Sequence, residues 1–71
     1  MKKKTFLLDA LVEKLNGDIA KHKANIRIYI ENPSGVAEHP DMVATLEEEV
    51  EKLAAAIEKR TTIDVDLLNE L

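Results

Sequence analysis

Apolar residues in the first half of the chain recur at a helical interval. Leu8, Val12, Leu15, Ile19, His22, Ile26 and Tyr29 are spaced four, three, four, three, four and three residues apart. This is the a/d stripe of a heptad, with every member on one face of a helix. Gly17 lies within the segment and costs about 1 kcal/mol relative to alanine, too little to break so long a run. The pattern predicts a helix over about 4–31. Asn32-Pro33 then stops it, because a residue before proline is pushed out of the α region.

The second half repeats the logic. Val43, Leu46, Val50, Leu53 and Ile57 are spaced three, four, three and four and predict a helix over about 40–60. Pro40 suits the first helical turn, and Asp41 and Glu47 place negative charge towards the positive end of the helix dipole. Lys59 and Arg60 close the other end with the favourable sign. Two stripes joined by residues 32–39 describe an all-α antiparallel helical hairpin, one domain spanning 1–71. Beyond residue 60 two readings stay open. Thr61-Thr62 are poor helix formers, yet Asp64 can cap a short C-terminal helix with Ile63 and Leu68 as its hydrophobic staple; the other reading is a frayed end.

Helices of these lengths measure about 42 Å and 30 Å, so the first overhangs the second at its start by about two turns. The overhang carries Phe6, Leu7, Leu8, Leu11 and Val12, which is not a surface composition. Ile28 and Ile30 widen the apolar face further along. A hairpin has one seam and cannot cover all of this, so either the tail folds back or a second subunit does. Two helices also bury too little apolar surface to offset about 1.5 kcal/mol of ordering entropy per residue. Self-association into a helical bundle is therefore expected. The candidate oligomer or partner interface is Phe6, Leu7, Leu8, Leu11, Val12, Leu15, Ile19, His22, Ile26 and Tyr29.

Composition supports helices. The chain is 45% hydrophobic and 34% charged, too apolar for a disordered segment and too polar for a membrane span. Phe6 and Tyr29 are the only aromatic residues and Gly and Pro number two each, which disfavours sheets. The absence of cysteine excludes disulfides, thiolate metal sites and cysteine catalysis. Charge is uneven. Residues 1–30 carry seven Lys and Arg against three Asp and Glu, a net of +4, and residues 31–71 carry three against eleven, a net of −8. Halves so charged attract when folded together. Met1-Lys2-Lys3-Lys4 before Phe6-Leu7-Leu8 imitates a signal peptide, but Asp9 and Glu13 interrupt the apolar run at once, and a cytoplasmic location is expected.

Candidate chemistry is sparse. His22 at a seam position reads as a hydrogen-bonded or register-setting residue; against its counterpart in a symmetric oligomer, its protonation would loosen assembly below about pH 6. Glu38-His39-Pro40-Asp41 gathers hard metal ligands at a helix start, with no second ligand one helical turn on. Glu47-Glu48-Glu49 and Glu51 read as a solvated face or a partner for a basic surface. No nucleophile, base and orienting group assemble, and no glycines cradle a phosphate. No enzyme, cofactor or metal is expected. For nucleic acid there is only the Lys2–Lys4 arm and scattered bases opposite an acidic helix, so binding to it is not expected.

The junction Asn32-Pro33-Ser34-Gly35-Val36-Ala37-Glu38-His39-Pro40-Asp41 has a sufficient structural reading: one helix ends, Gly35 permits a positive φ, and the next helix starts. It also resembles the Asn-Pro-x-Gly-x-x-Glu-His-Pro-Asp linker of a group of short helical-hairpin proteins of tailed bacteriophages, especially T-even-like myoviruses. The resemblance covers about residues 15–60. It implies a phage or prophage origin and synthesis inside a host cell, and it brings no activity or site residue with it.

The expectation is a small non-catalytic protein-binding module: a phage-encoded accessory acting as a homo-oligomer on a host or phage protein, with no membrane partner. A virion or structural accessory protein is the alternative. So is a nucleotide-sequestering oligomer, in which Lys14, Lys21, Lys23 and Arg27 would supply phosphate contacts.

Overall fold

A computed structural model describes residues 5–31 and 41–70. They form an all-α antiparallel hairpin: α1 spans Phe6–Glu31 and α2 spans Met42–Thr61, with α2 packed along α1. No residue among those described is in a strand. The readings of Asn32-Pro33, Gly35 and His39-Pro40 lie outside the described residues. Asp41 is the N-cap of α2, in extended conformation, its carboxylate accepting a 2.9 Å hydrogen bond from the Ala44 N–H. This satisfies one of the amides a helix start leaves open.

The face α2 turns to α1 differs from the expected stripe. Leu46 and Leu53 are on it as expected, but Val43, Val50 and Ile57 are exposed. Their places are taken by half-buried Met42 and Glu49 and by buried Ala56. The facing row thus runs Met42, Leu46, Glu49, Leu53, Ala56, Arg60 and Ile63, again at alternating intervals of four and three. Both rows share Leu46 and Leu53, and two things decide between them. Past Arg60, which both rows share, the row through Val43 and Ile57 would bring Asp64 inward, a carboxylate with no partner, whereas the observed row brings Ile63. The observed row also sets Glu49 against His22.

The tail continues the second helix in place of starting a new one. Thr61 and Thr62 keep helical dihedrals, so Asp64 does not cap a separate element, and the chain passes through a π-helical turn, Thr62–Leu67, into a 3₁₀ turn, Leu68–Glu70. In the wider turn the Leu68 N–H donates to the Ile63 carbonyl five residues back. Leu68, and not Leu67, therefore returns to the side of Ile63. Leu68 packs on the core while Leu67 stays exposed. The two residues expected as a staple do meet the core, by a different backbone route.

That core is one thin layer. Leu15, Ile19, Ala56 and Ile63 are buried, with Leu8, Val12, Leu53 and Leu68 packed against them. The tail thus covers part of the overhang. The molecule measures 47 × 18 × 14 Å with a radius of gyration of 15.7 Å, against about 11 Å for a compact chain of this length. Gly17 is exposed in mid-α1, with nothing within 4 Å of where a Cβ would stand. Gly17→Ala should therefore raise the unfolding free energy by about 0.5–1 kcal/mol in urea melts, through the entropy of the unfolded chain. A fall would show that the site is not open helix.

Candidate protein-interaction surface

Side-chain hydrogen bonds cross the seam at two levels. His22 is buried, and its Nδ1 lies 2.8 Å from Glu49 Oε2, the two side chains only 10% and 13% exposed. A carboxylate only accepts, so Nδ1 carries the proton and donates. Asn25 Nδ2 donates to the same oxygen at 3.3 Å. The hydrogen bond from His22, reinforced by that from Asn25, holds the Glu49 carboxyl below the usual glutamate value against the opposing pull of desolvation. Lower down, Arg60 Nη1 donates to Asn16 Oδ1 at 2.9 Å. His22 thus faces a carboxylate of its own chain.

The other ion pairs among the described residues lie within α1. Lys14 pairs with Asp18 at 2.7 Å, which lowers the Asp18 pKa, and Arg27 meets Glu31 at 3.5 Å on an open surface. Among the described residues no Lys or Arg of α1 pairs with an acid of α2.

The candidate interface residues divide into two sets. Leu15, Ile19 and His22 are buried in the seam, Leu8 and Val12 pack on the core, and Ile26 and Tyr29 are half-buried. Burial takes the first three out of reach of any partner that docks on the folded hairpin. Phe6, Leu7 and Leu11 are exposed, at 51%, 71% and 41%. Leu11 also lines a shallow apolar groove of about 440 Å³ with Ala55, Glu58, Lys59, Thr62 and Ile63. A second hollow of about 200 Å³ brings Asp18, Lys52 and Lys59 near the edge of His22.

Sequence reasoning missed the outer row of α2. Val43, Val50 and Ile57 stand seven residues apart, so all three lie along one line of the helix surface, at 78%, 49% and 36% exposure. It also counted Glu49 with its solvated acidic neighbours, although Glu47, Glu48 and Glu51 are exposed and Glu49 is not. Extending the facing row to Ile63 was the signal that separates them. No helix among the described residues is long and apolar enough to cross a membrane, and no group of three or more His, Asp or Glu among them is placed to hold a metal ion. No protein-family model, curated protein or solved structure matches the chain.

Proposed function

We propose that this chain is a non-catalytic protein-binding module, a phage-encoded accessory that acts as a homo-oligomer on a host or phage protein in the host cytoplasm. The observation that carries the reading is the exposed row Val43, Val50 and Ile57 on a hairpin whose own core holds only four buried apolar residues among those described. Scattered surface hydrophobics are ordinary, but an aligned row on a thin helix pair is the form in which helices dock on helices. The phage origin rests on the linker resemblance at residues 32–41.

The test compares immobilised wild type with a Val43→Asp, Val50→Asp form as bait in bacterial lysate. Specific, stoichiometric retention of a protein by the wild type, lost in the variant, is the expected result. Identical retention by both forms, together with a wild type that does not self-associate, would overturn the reading. A virion accessory would instead appear in purified particles, and a nucleotide-sequestering oligomer would melt higher in added nucleotide.

A further inference from the structure

We infer that the outer row of α2 is a seam for a second copy of this chain, paired so that α2 of each copy lies on the basic end of α1 of the other. The inference rests on the protein-binding reading and names the occupant of that surface. Three observations carry it.

The first is which residues share a flank. Leu11, Asp18, Lys52, Ala55 and Lys59 line the grooves on one side of the seam. The rows Asn16, Lys23, Ile30 on α1 and Val43, Val50, Ile57 on α2 run along the other side, as the helical period requires. The second is level. His22 opposite Glu49 and Asn16 opposite Arg60 set the register of the two helices. By it Ile30 is level with Val43, Arg27 with Glu47, and Lys23 with Glu51. A two-fold axis parallel to the helices lays α1 of one copy antiparallel on α2 of the other at the same levels. Apolar then meets apolar and base meets acid, twice over.

The third is charge that the monomer does not use. Lys23, Glu47 and Glu51 are exposed and make no ion pair among the described residues, and the Arg27 contact to Glu31 is long and solvated. Both halves of the match lie on one chain, which is why the occupant is a second copy and not a foreign helix.

The test measures molar mass by sedimentation equilibrium over a concentration range, with circular dichroism to confirm that each form is helical. Wild type is expected at about twice 8.0 kDa. Two charge-reversed forms are made, Lys23→Glu with Arg27→Glu and Glu47→Lys with Glu51→Lys. Each places like charges across its own interface and should dimerise about tenfold more weakly or worse. Mixed, the two restore every pair and should return to the dimer mass. Val50→Asp should be monomeric with unchanged helicity. A wild type that stays at 8.0 kDa overturns the inference, and the lysate comparison still decides the protein-binding reading. Charge-reversed forms that dimerise as well as wild type, or a mixture that fails to reassociate, overturn it too.

Discussion

Leu15→Ala or Ile19→Ala should each lower the unfolding free energy by about 2–5 kcal/mol, the cost of a lost side chain plus the cavity it leaves. Both residues are among the four buried apolar side chains of the described residues, 3% and 5% exposed. The loss is severe because little lies behind it. At about 0.05–0.15 kcal/mol per residue, a chain of this size holds only about 4–11 kcal/mol in total. A single layer between two helices also has no second shell that could close on the hole. Urea melts followed by circular dichroism measure the effect, with Leu7→Ala as the comparison, since Leu7 is 71% exposed and surface truncations stay within about 0.5 kcal/mol. Equal losses at Leu15 and Leu7 would mean that the seam does not run through Leu15.

The first helix could be read with its register because its stripe has no rival. From Leu8 to Tyr29 a single line satisfies the helical period, and the structure buries or half-buries every member of it. The second helix offered two lines offset by one residue and sharing Leu46 and Leu53. Apolar content favoured the line with Val43, Val50 and Ile57. The choice went the other way for reasons that periodicity does not carry: a polar partner for His22, and an apolar residue, Ile63, where the rival line would have brought Asp64. The tail shows the same limit. Thr61-Thr62 argue locally for a break, but burial of Ile63 and packing of Leu68 hold the helix through them. Local propensity is a weak prior that tertiary contact overrides. The interaction surface follows from the same choice, since the line rejected from the seam is the one left facing outward.

Glu49→Ala should cost about 1–3 kcal/mol, because it leaves the buried imidazole of His22 and the Asn25 amide without their shared acceptor. The effect has a pH signature with a definite sign. The Glu49 carboxyl is held below its ordinary value, so its contribution is fully present above the unfolded value of about 4.3 and is lost as pH falls through the lowered folded value. Wild type should therefore lose stability between about pH 5 and pH 3 more steeply than Glu49→Gln, whose amide does not titrate. Parallel losses in the two proteins would show that the pair is not formed. Replacing both partners, His22→Leu with Glu49→Leu, removes two desolvated polar groups along with their bond. With only the half-buried Asn25 amide left without its acceptor, the double variant should be more stable than Glu49→Ala and close to wild type. What the double change removes is the preference for one register, since with leucine at both positions the rows through Glu49 and Val50 become nearly equal in what they bury. The pair thus acts as a register key more than as a source of stability. Amide exchange would show this directly: a double variant close to wild type in stability but with weaker protection along α2 is the expected outcome. Unchanged protection would mean that Ile63 and Ala56 hold the register without it.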